Sequence, residues 1–220
     1  GLSIISHVFK KAEEANIGEV IVATGDQEII DDVKENGGNA ILTKGQHKTG
    51  TDRIFEALQK IDSSNIDLIM NLQGDEPLIN IEDIKKLRYR MIEYKSGLGT
   101  LGSKISNKEI FDNQNAVKVI TEKVLDNSNF LKAINFMRKT SIKTQNIYHH
   151  LGIYCYQKET LKKFVSLKQS PNEIKKRLEQ LRALDNNINI NVALAESSIK
   201  GVDTESDFVA IKKIMEYKIE

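Results

Sequence analysis

Asp67-Leu68-Ile69-Met70-Asn71-Leu72-Gln73-Gly74-Asp75-Glu76-Pro77 joins an apolar run to an acidic loop through a glycine. Residues 66–72 are apolar on both faces, which suits a strand in the interior of a parallel sheet. Gly74 permits a sharp backbone exit, and Pro77 cannot extend a ladder. Asp75 is thereby placed at a carboxyl strand end, the side on which open α/β sheets bind ligands. A plainer reading also fits the loop: Asp75 or Glu76 caps a helix that starts near Ile81.

Upstream, residues 2–15 carry Ile4, Ile5, Val8, Phe9 and Ala12, the spacing of an amphipathic helix, with Gly18 as its stop. Residues 19–24 and 40–43 read as strands, and 27–36 and 51–61 as helices, the first ended by Gly37-Gly38. A helix over 81–94 follows the acidic loop. This alternation predicts right-handed parallel crossovers and a layered α/β sheet. After Gly97 the pattern turns extended, with strands expected over 98–105, 116–121, 130–136 and 150–156 and a turn over 123–129. Residues 105–149 are read as an insertion within a single domain spanning 1–220. Helices over 158–165 and 172–184, a strand over 188–195 and a helix over 205–217 complete the pattern. Pro77 and Pro171, the two prolines, each stand at the foot of a predicted helix.

At 220 residues and 40% hydrophobic, the chain is long enough to bury a full core. Its 32 Lys and Arg against 31 Asp and Glu leave a net charge of +1, so no global field draws it to nucleic acid, and phosphate contacts must be local. The single cysteine, Cys155, excludes an intrachain disulfide and a multi-cysteine zinc site. No stretch reads as a membrane span or a signal peptide, so a cytoplasmic protein is expected.

Three further constellations can carry chemistry. Gly201-Val202-Asp203-Thr204 opens the last helix; Asp203 or Thr204 as an N-cap is one reading. The other pairs Asp203 with Asp75 as two carboxylates from different strand ends, suited to a Mg²⁺ that completes its shell with water and a triphosphate. His47-Lys48-Thr49-Gly50-Thr51-Asp52-Arg53 is a loop opening a helix, where amides, hydroxyls and cations can meet an anionic or nucleotide group; a capped helix start with Asp52 and Arg53 solvated is the alternative. In His149-His150-Leu151-Gly152-Ile153-Tyr154, His150 and Tyr154 share one strand face and can jointly grip a hydroxylated acid. Arg138 and Arg182 are candidate carboxylate forks, or surface residues, and Glu179-Gln180 can accept from sugar hydroxyls. Cys155 reads as packing rather than as a nucleophile.

In order, Val22-Ala23-Thr24, the 47–53 loop, Gln73–Pro77, Asn115-Ala116-Val117-Lys118-Val119, the 150–154 strand, Ser170-Pro171, Leu178-Glu179-Gln180-Leu181-Arg182 and the 201–204 string resemble the 3-deoxy-manno-octulosonate cytidylyltransferase family, the CMP-Kdo synthetases. The resemblance implies a three-layer α/β/α nucleotide-diphosphosugar transferase fold with an inserted β-ribbon and dimerisation region. It also implies transfer of CMP from CTP to Kdo, with release of pyrophosphate, for lipopolysaccharide biosynthesis. Asp75 and Asp203 match the family's Mg²⁺-binding aspartates; Gln73, Arg138, His150, Tyr154, Glu179 and Gln180 fall at or beside Kdo-binding positions. Thr24, Thr43, Thr49, Gly50 and Arg53 fall to the nucleotide. A homodimer is implied.

Set against that family, the chain opens on Gly1-Leu2-Ser3 where Gly-Lys-Pro is usual, so the resemblance implies a sequence without the family's first strand and phosphate-wrapping loop. Loss of an interior strand leaves ladder groups unpaired, at roughly 1–3 kcal/mol each. The competing expectation is therefore an inactive fragment that binds sugar or a partner subunit; a further one is a related enzyme such as a CMP-sialate synthetase. Gly25 stands where an acidic residue is usual, and residues 139–148 are shorter than the family's.

Overall fold

The computed structural model describes residues 2–105, 108–141, 144–196, 201–202 and 204–217. Helix α1 (Ile4–Ala15) starts at Ser3, whose hydroxyl accepts from the Ser6 amide, and ends at Ala15 as expected, with Asn16 in the left-handed region (φ 50°) rather than Gly18 as its stop. It leads to a small parallel sheet of β1 (Val22–Thr24) and β2 (Ala40–Leu42), joined through α2 (Gln27–Glu35). Gly38 is required there: a Cβ would stand 2.7 Å from both Phe9 Cζ and Val33 Cγ1, the residues that with Val22 form the local core.

After α3 (Gly50–Gln59), β3 (Leu68–Asn71) enters a six-stranded sheet with β4 (Leu98–Ser103), β5 (Lys118–Thr121), β6 (Leu131–Met137), β7 (Ile147–Gln157) and β8 (Asn191–Leu194). The order is β3-β7-β4-β8-β6-β5, and β5 also pairs with β7. The ladders thus close a circuit β4-β7-β5-β6-β8-β4, and residues from 105–149 form two of its strands.

Here the structure corrects the sequence reading of β3. The strand is not interior to a parallel sheet: it lies at one end of the strand order, antiparallel to β7, and its Leu68, Ile69 and Met70 are only half-buried. Its two apolar faces pack against different clusters, Ile69 on one side and Leu68 and Met70 on the other, so the uniform run reflects helices on both faces rather than strands on both edges. The only parallel pairs among the described strands are β1–β2 and β4–β8.

Helices cover both faces of the large sheet. On one, α4 (Ile81–Glu93) buries Ile84, Leu87 and Met91 against Leu101, Leu151, Ile153 and Cys155. On the other, α6 (Lys158–Ser166) brings Leu161 and Phe164, and α8 (Leu181–Asp185) with the turn that follows α7 (Pro171–Lys176) brings Leu178, Leu181 and Ala183, into one cluster with Tyr148, Tyr154, Tyr156 and Val192. The result is the expected three-layer α/β arrangement. The short α5 (Lys108–Asp112) and α9 (Glu205–Tyr217) complete the elements.

The helix expected over 172–184 is two helices. Arg177 takes a left-handed conformation (φ 52°) as the C-cap of α7, and its amide bonds Glu173 O. Ser170 closes the other end in a capping box with Glu173, and Pro171 occupies the first turn, where its missing amide costs nothing. The break lifts Glu179 and Gln180 out of helical register and places them just before α8.

Candidate active site

Three segments meet at the ends of β3 and β7. The first is the acidic loop. Asn80 caps α4, its side chain accepting from the Glu82 amide at 2.8 Å, so neither Asp75 nor Glu76 serves as the cap. Gln73 Nε2 donates to Gly152 O at 3.1 Å, tying the loop to β7 between His150 and Tyr154. Gly152 is where this approach happens: a Cβ there would meet Gln73 Cγ at 3.1 Å and Glu76 Oε1 at 3.3 Å.

Residues 201–202 lie across the same loop. The Val202 amide donates to Asp75 O at 2.9 Å, and a Cβ on Gly201 would stand 3.6 Å from Asp75 Oδ2. Thr204 takes the capping role at α9, its hydroxyl accepting from the Asp207 amide at 3.2 Å. Asp203 itself lies outside the described residues. Among the described residues no group of three His, Cys, Asp or Glu is placed to hold a metal ion.

The second segment is β7. His150 and Tyr154 are both buried, with ring centroids 5.4 Å apart, so the expected shared face is observed. The Thr100 hydroxyl lies 2.6 Å from Ile153 O and 3.0 Å from His150 Nε2. Its single proton goes to the shorter contact, so His150 donates from Nε2 and keeps Nδ1 bare. Burial, then the neighbouring His149, pushes the His150 pKa down to about 3, and the ring is neutral near pH 7. Burial, aided by Tyr156, Glu179 and Glu76, holds the Tyr154 phenol well above its ordinary range, so it remains a hydroxyl donor. His149 faces the opposite way, paired across the ladders with Ser103 and Lys118.

The third segment carries Glu179 and Gln180. Burial raises the Glu179 pKa, opposed by the Thr51 and Thr49 hydroxyls beside it and by Arg182; its Oε1 is buried without a hydrogen-bond partner. Gln180 is buried. Arg138 reaches this segment from β6's end: its guanidinium donates to the carbonyls of Gln114, Asn115 and Arg177 at 3.2–3.4 Å.

The nucleotide candidates gather at the open ends of β1 and β2. The Thr43 amide donates to Thr24 O at 2.7 Å, and Thr49 caps α3 by accepting from Asp52. Gly50 lies near Asn71, where a Cβ would be 4.0 Å from Nδ2. Arg53 is half-buried rather than freely solvated. It folds back on the Thr43 hydroxyl at 2.5 Å and on the carbonyls of Lys44 and Gly45, so it clips this loop shut from within. Asp52 is not solvated in the simple sense either, standing 3.6 Å from the buried Arg182.

Arg182 corrects the surface reading: it is 2% exposed and forks onto Glu173, an internal carboxylate. Cys155 is packing, as expected, with burial pushing its thiol up to about 12. Thr100, Glu173 and the buried Lys118, whose ammonium donates to the carbonyls of Asn113, Ala116 and Arg138, escaped the sequence reading. The Ser170-x-x-Glu173 spacing was the one readable signal among them.

A sheet with helices on both faces and an acidic loop at a strand end beside a hydroxyl-lined helix start is the frame of a nucleotidyltransferase. A family profile for cytidylyltransferases matches residues 1–190, and the chain belongs to that family. The 3-deoxy-manno-octulosonate cytidylyltransferase of Bartonella tribocorum is 41% identical over 217 residues, covering 98% of this chain and 88% of the relative. The enzyme of the same name from Rhodopseudomonas palustris is 39% identical with the same coverage. A solved structure of CMP:2-keto-3-deoxy-manno-octonic acid synthetase complexed with CTP superposes with a TM-score of 0.86 at 31% identity, over 98% of this chain and 88% of that one. UDP-glucose pyrophosphorylase complexed with UDP-glucose, at 11% identity and a TM-score of 0.70 over 98% of this chain and 87% of its own, shares the fold.

Proposed function

We propose that the protein transfers CMP from CTP to the sugar acid Kdo, releasing pyrophosphate. The observation that carries this reading is the crossing of residues 201–202 over Asp75, beside a β7 face that presents His150 and Tyr154. The relatives' names supply the substrates. In the transfer, the anomeric hydroxyl oxygen of the sugar bonds to the α-phosphorus, and the α–β anhydride breaks. The sugar hydroxyl proton is released and the electron pair leaves with pyrophosphate.

The chain's residues act by binding and orientation. Tyr154 donates its hydroxyl, neutral His150 offers a bare Nδ1, and Gln73, Glu179 and Gln180 bound the sugar acid, with Arg138 as partner for its carboxylate. Thr24, Thr43, Thr49 and Gly50 line the cytidine side, and Arg53 holds that loop closed. Asp75, an oxygen donor at a crossing of two loops, fits a Mg²⁺ ion, with Asp203 as its second ligand. Such an ion, when bound, neutralises phosphate charge.

The same reading places the protein in the cytoplasm, in lipopolysaccharide biosynthesis, and as a homodimer. Among the described residues no helix is long and apolar enough to cross a membrane. Mass spectrometry of the full-length protein incubated with CTP, Mg²⁺ and either Kdo or a sialic acid tests the substrate choice. CMP-Kdo is the expected product; product from the sialic acid alone would overturn the assignment.

A further inference from the structure

Arg182 is among the most deeply buried side chains of the protein, and its surroundings exceed what stability needs. Nε and Nη2 donate to Glu173 Oε2 and Oε1 at 2.9 and 2.6 Å. Glu173, itself 3% exposed, also accepts from the Ser170 amide at 3.0 Å and from Gln169 Nε2 at 3.1 Å. Both carboxylate oxygens are thus fully used. The guanidinium carbon lies 4.6 Å from the centroid of Phe164, and Nη1 stands 3.6 Å from Asp52 Oδ1 on α3. Burying such a pair is often no more stabilising than apolar packing of the same volume, so stability alone does not account for it.

Its position gives an account. The Arg182 amide bonds Glu179 O at 3.0 Å, so the side chain rises from the turn that carries Glu179 and Gln180. Its far end faces Asp52, one residue past Thr51 and three past the Thr49 cap, the two hydroxyls beside the Glu179 carboxylate. We propose that Arg182 is a positioning residue for the sugar-acid half of the site: anchored by Glu173 and facing Asp52, it fixes Glu179 and Gln180 against the amino end of α3. The left-handed Arg177 leaves Glu179 outside either helix and Gln180 as the N-cap of α8, without a side-chain cap, so the turn is tied to α8 by the bonds its carbonyls accept from the Arg182 and Leu184 amides. This inference rests on the reading of the site as one for Kdo and CTP.

The test compares Arg182→Met, Arg182→Lys and Leu161→Ala, the last a cavity in the same core cluster, by thermal unfolding and by separate KM values for Kdo and CTP. Arg182→Met raises KM for Kdo about tenfold or more, because small displacements of a binding group are costly, while KM for CTP moves less than about threefold. The acid limb of kcat/KM for Kdo also moves to higher pH. Among the described residues, the charged and titratable groups facing Glu179 are Arg182 on α8, Asp52 on α3, and Tyr154 and Tyr156 on β7; removing the Arg182 cation lets the carboxyl keep its proton longer. Arg182→Lys keeps the charge but not the fork, so it leaves the acid limb in place and still raises KM for Kdo. Leu161→Ala lowers the melting temperature without splitting the two constants. Should Arg182→Met not fold, Arg182→Lys carries the test: KM for Kdo unchanged, or both KM values rising together, overturns the inference. Wild-type turnover with unsplit constants overturns it alone, whereas absent wild-type turnover removes the functional reading and this inference with it.

Discussion

At the scale of single residues, His150 shows how packing sets chemistry. Enclosed by Phe136, Tyr154 and the Thr100 hydroxyl, it has nowhere to place a charge. Its pKa in the unfolded chain is the ordinary 6.5, and in the fold about 3, so between these values the unfolded state binds the extra proton. Stability from this residue is therefore complete above the unfolded value and lost as the pH falls toward the folded one. As the pH drops from about 6.5 to about 5, His150 should remove about 1–2 kcal/mol of unfolding free energy, a loss absent from His150→Gln. Urea unfolding of both proteins at the two pH values measures the difference; parallel slopes would contradict it. The His150–Tyr154 pairing was legible because four-residue spacing on a strand fixes the face. The partnership with Thr100 was not, since it depends on a register shift between Thr100 and Leu101 opposite β7 that no local pattern announces.

At the scale of elements, caps and breaks decide where the site residues stand. The Ser170 hydroxyl accepts from the Glu173 amide, the Glu173 carboxylate accepts from the Ser170 amide, and the Ser170 hydroxyl donates to Asp185 Oδ2 at 2.5 Å. Ser170→Ala should lower unfolding free energy by about 1–2 kcal/mol, read from the denaturant midpoint, and should raise KM for Kdo because α7 anchors the Glu173–Arg182 pair. An unchanged midpoint would remove the cap from the account. The capping signature was legible in sequence, but the end of α7 was not: the left-handed residue is Arg177, where glycine or asparagine is the usual marker. Likewise the apolar run of β3 announced packing on two faces, but the interior parallel strand inferred from it was wrong, because apolar faces do not report which strands lie at its edges. Burial of Lys118 and Arg182 could not be read either, because a charged residue is buried only when distant groups arrive to pair it.

At the scale of the whole molecule, the layered order and the family were legible because many short strings recur in sequence, each weak alone. Arrangement across the sheet was not: the closed circuit β4-β7-β5-β6-β8-β4 depends on pairings distant in sequence, such as Lys118 with His149 and Leu131 with Val192. A homodimer is expected for the full-length protein, and sedimentation equilibrium at micromolar concentration should give twice the chain mass; a single-chain mass would contradict that part of the reading. The central claim is that the Asp75 loop and the β7 face form one site for CMP transfer. Pyrophosphate release by the full-length wild-type and Asp75→Asn proteins, with CTP, Kdo and Mg²⁺, tests it most directly. The account predicts release by the wild type that requires both substrates and Mg²⁺, and a loss of roughly 10²–10³-fold or more in Asp75→Asn. Wild-type silence, or equal rates in the two proteins, would contradict it.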